Sequence, residues 1–211
     1  MCDFAAQTYL VLGAKGLIGT EVCKELMLLG APKKKIISIS SKDRFPEVAP
    51  NEKLIIINST SANGGSLSEL ITKLTHKYCN FEFWHISSQA VQNNSQYGLT
   101  KYQDENIVLS MCARPKIYRL GIPIIQSGDT YHGLGYWNSI RLVRGGTVNA
   151  YNISLCGIKL HLIKEMVIAL ASDDPTEIKL KRYPLQSLIR RYVPFRRLNR
   201  VLSSINTCVI G

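Results

Sequence analysis

The sequence has no long apolar run and no close pair of cysteines. Its apolar runs, such as 9–12 and 54–57, are far shorter than the roughly 20 residues that cross a bilayer. The chain does not open on a basic segment followed by an apolar stretch, so we expect neither a signal peptide nor a membrane-spanning helix. No Cys-x-x-Cys pair or zinc-type histidine spacing occurs, which indicates reduced thiols of a soluble cytoplasmic protein and no metal site. The cysteines are Cys2, Cys23, Cys79, Cys112, Cys156 and Cys208.

Acidic residues are absent from the last part of the chain. Residues 178–211 carry eight basic side chains and no acidic one. Eight of the eleven net positive charges thus belong to this tail, which leaves +3 for the residues before it. We expect one domain over 1–177 and a basic tail over 178–211. The basic residues of the tail are Lys179, Lys181, Arg182, Arg190, Arg191, Arg196, Arg197 and Arg200.

Strand and helix patterns alternate along the domain. This alternation predicts a parallel sheet with helices on both faces, a doubly wound α/β domain. Only thirteen residues separate Ser40 from Leu54, too few for a helix and a returning strand, so the third βα unit should be reduced or absent. Strands are expected at 8–12, 36–40, 54–57, 81–86 and 116–120, and helices at 17–29, 67–76, 97–112 and 159–171.

Three glycines follow the first predicted strand in the pattern Gly-x-x-Gly-x-x-Gly. Between a strand and a helix, such glycines make a tight turn, let the backbone approach a diphosphate and pack the helix on the strand. Glycine triplets also occur in plain connections, but the position of this one near the N-terminus favours dinucleotide binding. The residues predicted to contact the cofactor are Gly13, Lys15, Gly16, Leu17, Ile18 and Gly19.

The end of the second predicted strand bears on the choice between NAD and NADP. An acidic residue there would accept hydrogen bonds from the ribose 2′-hydroxyl of NAD. The sequence instead places Ser41, Lys42 and Arg44 in this region, and the two cations would pair with the 2′-phosphate of NADP. This favours NADP. The alternative is that these charges are solvated and that Asp43 is the ribose ligand.

A serine, a tyrosine and a lysine follow at positions that suit hydride-transfer chemistry. Ser88 comes at the end of the fourth predicted strand, and Tyr97 and Lys101 stand four residues apart, so on a helix they share one face. A free tyrosine titrates near pH ~10, and a neighbouring ammonium favours its phenolate, which brings proton exchange toward neutral pH. We predict that Tyr97 moves the proton, that Ser88 binds the same substrate oxygen, and that Lys101 also holds the cofactor ribose.

These motifs resemble those of the extended short-chain dehydrogenase/reductases, the family of NAD-dependent epimerases and dehydratases that act on nucleotide sugars. The matching segments are 13–19, 86–91 with 97–101, and 118–121. The resemblance implies a Rossmann fold, an NAD(P) cofactor, and catalytic Ser, Tyr and Lys at 88, 97 and 101. The short interval from Ser88 to Tyr97 is similar to that of members that process sugar nucleotides for surface polysaccharides.

Two departures from the family pattern narrow the predicted chemistry. The shortened third βα unit alters the adenine side of the pocket. Gln89 and Ala90 stand where the sugar dehydratases of the family have an acid and a second ionisable residue. Elimination of water therefore lacks its general acid, which leaves a ketoreductase or an epimerase.

The residues after about 122 form a small predicted substrate region, and the tail follows it. Tyr131, His132, Tyr136 and Trp137 could stack on a sugar or base, but packing is the commoner role of such aromatics. In the tail, apolar residues recur every three or four residues, with arginines between them, as in a basic amphipathic helix. Such a helix either binds an anionic membrane surface or packs on the domain or on a partner subunit of a homo-oligomer. Nucleic-acid binding is disfavoured because no recognised module accompanies the charge.

We therefore expect an NAD(P)-dependent reductase or epimerase of a nucleotide-linked or polyprenyl-diphosphate-linked sugar. It would be cytoplasmic, with peripheral attachment to the inner face of the cell membrane through the tail. The alternative is a catalytically inactive cofactor-binding protein that acts as a regulatory or scaffold subunit. Its case rests on the reduced third unit and the small substrate region.

Overall fold

A five-stranded parallel sheet forms the centre of the part of the chain that the structure describes. The computed structural model describes residues 3–40, 43–49, 52–60, 65–92, 96–127, 130–133, 141–143 and 160–172. The strand order is β2-β1-β3-β4-β5, and every neighbouring pair is parallel. The strands are β1 (Thr8–Leu12), β2 (Ile36–Ile39), β3 (Leu54–Asn58), β4 (Phe81–Ser88) and β5 (Pro115–Leu120).

Helices cover both faces of this sheet. Because alternate strand residues point to opposite faces, each strand contributes to two separate cores. One core joins α1 and α4 to the face that carries Tyr9 and Ile55, and the other joins α2 and α3 to the face of Leu10 and Ile56. The predicted doubly wound, Rossmann-like α/β fold is confirmed. The helices are α1 (Leu17–Leu28), α2 (Gly65–Lys77), α3 (Gln96–Met111) and α4 (Ile163–Ala171).

The third βα unit is missing, as the sequence predicted. The chain passes from β2 to β3, which lies on the other side of β1, with neither a helix nor a strand among the described residues of that connection. Residues 43–49 pack instead beside the end of α2. Tyr78 Oη donates a hydrogen bond to the Pro46 carbonyl at 2.8 Å, and Lys77 Nζ donates one to the Phe45 carbonyl at 2.6 Å.

A second, smaller sheet follows β5. Its order is β8-β7-β6-β9, with β6 antiparallel to β7 and parallel to β9. Its strands, β6 (Ile122–Ser127), β7 (Thr130–Gly133), β8 (Arg141–Val143) and β9 (Leu160–Leu162), lie in the predicted substrate region. Within the described residues, no helix has both the length and the apolar character needed to span a membrane.

The bounds of the parallel strands and of α1 to α3 follow the sequence predictions closely, whereas the strands of the second sheet were not predicted and the last helix needs a correction. The helix predicted over 159–171 begins only at Ile163, because Leu160–Leu162 pair with β6 as a strand. Leu160 and Leu162 alternate about His161, and this period of two suits an edge strand better than a first helical turn.

Several predicted residues lie outside the described part of the chain. They are Ser41 and Lys42 of the proposed NADP site, Tyr136 and Trp137 of the substrate region, and the tail at 178–211. The backbones of Tyr131 and His132 belong to β7.

Candidate functional site

The topological switch point of the parallel sheet lies at its carboxyl edge, between β1 and β3. The chain leaves β1 for α1 on one face of the sheet and leaves β3 for α2 on the other face. At such a switch point the connections diverge, and ligands of open α/β sheets bind in the gap they leave. The glycine turn 13–16 begins at this switch point.

The glycine turn has the backbone geometry that the sequence predicted. Gly13 has φ of +76°, which L-residues rarely adopt, and its N–H donates to the Ile39 carbonyl at 3.0 Å. The Gly16 N–H donates to the Gly13 carbonyl at 2.8 Å, which closes the turn. A Cβ at Gly19 would overlap the Gly13 carbonyl oxygen and lie 2.7 Å from Ser59 Oγ, so a side chain there would separate α1 from the strand ends.

The N-terminus of α1, where the sequence predicts the diphosphate of a dinucleotide, has open backbone donors and no acidic neighbour in its first turn. Gly16 is the N-cap residue and makes no side-chain cap, and the first turn contains no acidic residue. The first backbone N–H groups of a helix point along its axis and favour an anion. The backbone N–H groups of Leu17 and Ile18 could hold such an anion. The exposed Lys15 side chain is close to them in the sequence.

Asp43 lies just beyond β2, next to the predicted ribose site. Its carboxylate accepts a hydrogen bond from the Ser40 backbone N–H at 2.6 Å. This backbone bond, with the Ser40 side chain and the charge of Lys15, lowers the pKa of Asp43 below its ordinary value. Arg44 follows it and is exposed. Asp43 and Arg44, to which the sequence analysis gave competing roles in cofactor choice, are adjacent just beyond the strand end.

The predicted catalytic residues lie near the carboxyl edge of β4. Ser88 is the last residue of β4, and its Oγ accepts a hydrogen bond from the Ala90 N–H at 3.2 Å. Tyr97 is in the first turn of α3 and is 56% exposed, whereas Lys101, one turn later, is 7% exposed. The phenol therefore faces solvent while the ammonium points into the protein.

Lys101 belongs to a buried polar cluster between α3 and the sheet, which the sequence analysis missed. Its Nζ lies 3.3 Å from Oδ2 of Asp104, which is fully buried. The next residue, Glu105, accepts a 2.6 Å hydrogen bond from the Ser87 hydroxyl of β4. Arg119 of β5 donates from Nε and Nη2 to both Glu105 carboxylate oxygens, at 2.7 to 3.2 Å. We call these residues, with His85, the buried polar cluster.

His85 completes the cluster from β4. The ring is fully buried, and its Nδ1 lies 3.1 Å from Asn58 Nδ2 of the neighbouring strand. Among the described residues, its Nε2 has no hydrogen-bond partner. Burial, and then the nearby ammonium of Lys101, lowers the pKa of His85 to about 4, so the ring is neutral at pH 7.

One signal of this cluster was present in the sequence. Asp104 and Glu105 come three and four residues after Lys101, so both lie on the same face of the helix as the lysine. His85 and Ser87 alternate on β4, so they share one face of the sheet. A charged helix stripe is ordinarily solvated, and only the topology of the sheet turns these two faces toward each other.

Comparison with known proteins supports the fold. Neither a protein-family model nor a curated protein matches the sequence. The structure is similar to that of the capsular polysaccharide assembling protein CapF from Staphylococcus aureus, with a TM-score of 0.51 and 15% identity over 77% of this chain and 48% of that one. The chain thus spans about half the length of that protein.

Two further solved structures are similar to this one. A thiolation-reductase di-domain of an archaeal non-ribosomal peptide synthetase has a TM-score of 0.51 and 12% identity, over 79% of this chain and 67% of that one. MoeE5, solved with UDP-glucose and NAD, has a TM-score of 0.45 and 14% identity, over 81% of this chain and 73% of that one. These similarities support the Rossmann-like α/β fold.

Proposed function

We propose that the protein is an NAD(P)-dependent reductase or epimerase that acts on a sugar linked to a nucleotide or to a polyprenyl diphosphate. The observation that carries the proposal is the common location of two features. The uncapped N-terminus of α1 and the Ser88, Tyr97 and Lys101 set both lie at the carboxyl edge of the sheet. This edge is where open α/β sheets bind ligands.

The groups that would hold the cofactor come from two elements. The backbone N–H groups of Leu17 and Ile18, at the positive end of α1, would bind the diphosphate, and Gly13 and Gly16 leave room for it. Lys101 would bind the ribose next to the nicotinamide. A bound nicotinamide supplies hydride transfer to or from a carbon that bears oxygen.

The side chains at the edge would handle the proton. Tyr97 lies in the first turn of α3 and is more than half exposed, which leaves it accessible to a substrate. It would exchange a proton with the substrate oxygen as general acid or base, and the Ser88 hydroxyl would hydrogen-bond the same oxygen. Gln89, which follows Ser88, offers no carboxyl group for the elimination of water, so a reductase or an epimerase is favoured over a dehydratase.

The substrate class rests on the resemblance of the sequence motifs. The short Ser88 to Tyr97 interval is similar to that of enzymes that modify sugar nucleotides. The similar fold of a capsular polysaccharide assembling protein agrees with this class. A basic tail that meets an anionic membrane would bring the protein to a lipid-linked sugar.

The test combines cofactor binding with turnover of a panel of sugar nucleotides and lipid-linked sugars. We expect NADH or NADPH fluorescence to change on binding, and we expect Tyr97→Phe to abolish turnover while leaving binding intact. Tyr102→Phe is the matched control, because Tyr102 lies on the same helix and is similarly exposed, at 51%. Net oxidation of the cofactor identifies a reductase, and a changed sugar configuration without net oxidation identifies an epimerase.

Two other outcomes would contradict the proposal. If neither cofactor binds, the dinucleotide site is wrong. If a cofactor binds but Tyr97→Phe and Ser88→Ala change nothing, the chain is the catalytically inactive, cofactor-binding protein that the reduced third unit also suggests.

A further inference from the structure

The ion pair of Lys101 and Asp104 is the least expected feature of α3. The two residues lie one turn apart, and Lys101 Nζ is 3.3 Å from Asp104 Oδ2. Counted without the backbone, their side chains are 9% and 0% exposed. Residues that carry a charge are almost never fully buried without a reason, because removing the charge from water is costly. The pair therefore needs an explanation beyond helix surface chemistry.

Stability does not explain the pair. A buried ion pair often contributes no more to stability than apolar side chains of the same volume, because desolvation offsets the attraction. The apolar alternative is present on the same helix, since Val108 is buried against α2 and the sheet one turn later. The pair thus places an ammonium inside the protein at a cost, which is typical of a functional site.

The neighbouring groups do not duplicate the role of Asp104. Glu105 is engaged by Arg119 and by the Ser87 hydroxyl, on the side of β4 and β5. His85 is neutral at pH 7, and an imidazole ring carries no negative charge in either protonation state, so it cannot balance the charge of Lys101. Asp104 is therefore the carboxylate next to the ammonium.

We propose that Asp104 is a positioning residue, which holds the Lys101 ammonium in place for the cofactor ribose. This inference rests on the proposed function, which gives Lys101 that role. A lysine side chain has four rotatable bonds, and ordering it at the moment of ligand binding reduces affinity. A carboxylate on the same helix, held rigidly by burial, orders the lysine beforehand.

A double-mutant cycle on the full chain tests this role through cofactor binding. NADH and NADPH are each titrated by fluorescence against the wild type, Lys101→Met, Asp104→Asn and the double variant. We expect Asp104→Asn to raise the dissociation constant about fivefold to tenfold, the effect of one poorly placed charge-assisted hydrogen bond. In the Lys101→Met background, we expect Asp104→Asn to have no further effect, because it acts through the lysine.

The control variant is Glu82→Gln. Glu82 is also a largely buried carboxylate with lysine partners, Lys53 at 3.2 Å and Lys116 at 3.5 Å, but it lies at the opposite end of β4. It should lower thermal stability without changing cofactor binding. If Asp104→Asn does not fold, Asp104→Glu takes its place in the same cycle, because it keeps the charge but moves it by one methylene.

The results separate this inference from the proposed function. The positioning role is overturned if Asp104→Asn binds cofactor like the wild type while Lys101→Met binds weakly, and the proposed function then stands. It is also overturned if the aspartate variant weakens binding equally in both backgrounds, which would be a general structural effect. If Lys101→Met itself binds like the wild type, the assignment of Lys101 to the cofactor is wrong, and the role of Asp104 falls with it.

Discussion

Arg119 of β5 and Glu105 of α3 form a two-pronged ion pair that joins the helix to the sheet. Two guanidinium nitrogens donate to the carboxylate, with the shortest bond at 2.7 Å, and Glu105 is almost fully buried. Ser87 of β4 donates to the same carboxylate, so α3 is fixed to two strands at one point. This point lies one turn after Lys101, and it therefore sets where the predicted catalytic helix meets the edge of the sheet.

Removal of Arg119 alone should destabilise the fold strongly. Arg119→Met leaves the buried Glu105 without its counter-charge, which should lower the free energy of unfolding by about 3 kcal/mol. The double variant Arg119→Met with Glu105→Leu removes both charges and should recover most of that loss. Urea unfolding of the three proteins measures both effects. A double variant less stable than Arg119→Met would contradict this account.

A side chain at Gly19 should be costly because the space is filled, whereas a side chain at Gly30 should be costly because of the backbone conformation. The Cβ of Gly19→Ala would overlap the Gly13 carbonyl and approach Ser59 Oγ, so the turn must shift. We expect the free energy of unfolding to fall by about 2 kcal/mol, and we expect cofactor affinity to fall as well. Gly30 has φ of +100° but open space around it, so Gly30→Ala should cost about 1 kcal/mol and leave cofactor affinity unchanged. Loss of cofactor binding in both variants would show that stability alone is responsible.

Stability should fall as the pH is lowered through the range set by His85. Its pKa is lowered to about 4 in the folded protein from the ordinary 6.5, so below pH 6.5 the unfolded chain binds a proton that the folded chain does not. The free energy of unfolding should therefore decrease with falling pH, by about 2 kcal/mol at pH 5 relative to pH 8. Replacing His85 with Asn should flatten this part of the profile. If the free energy of unfolding falls equally in the two proteins between pH 8 and pH 5, His85 is not the cause of the pH dependence.

Arg44 should favour NADPH over NADH. We expect Arg44→Ser to weaken NADPH binding about tenfold, the effect of one lost contact with the 2′-phosphate, and to leave NADH binding unchanged. Asp43→Asn is the companion variant, because Asp43 is adjacent and is the alternative ribose ligand. If Asp43→Asn weakens NADH binding and Arg44→Ser changes neither affinity, the protein uses NAD.

The basic tail should carry the protein to anionic membranes. We expect the full chain to sediment with phosphatidylglycerol vesicles, and not with neutral ones, since each arginine near the surface contributes about 1 kcal/mol. A full-chain variant with Arg190, Arg191, Arg196 and Arg197 replaced by Gln should stay in solution. Equal sedimentation of the two proteins would indicate a tail that packs on protein instead.

The parts of the fold that depend on local pattern could be predicted from the sequence. The strands β1 and β3 contain unbroken apolar runs, and the three glycines of the turn follow β1 directly, before a run with helical spacing. The thirteen residues between Ser40 and Leu54 were enough to predict the missing third unit, because a chain so short cannot make a helix and return.

The buried polar cluster could not be predicted in the same way. On α3, polar and apolar residues are mixed around the helix, so its sequence does not show which face is buried. Asp104 and Glu105 look like solvated residues until Ser87 and Arg119 are placed opposite them by strand pairing. The strand β9 was missed for a related reason, since a three-residue strand is defined by its partner more than by its own sequence.

The missing third unit leaves β2 at the margin of the parallel sheet, within the described residues. One row of its backbone N–H and C=O groups is thereby open to pairing with a strand of another molecule, the usual route to aggregation. The strand is only four residues long, and Lys33, Lys34 and Lys35 stand directly before it. A short strand flanked by lysines is a poor template for such pairing, and the margin that the chain's shortening created has both properties.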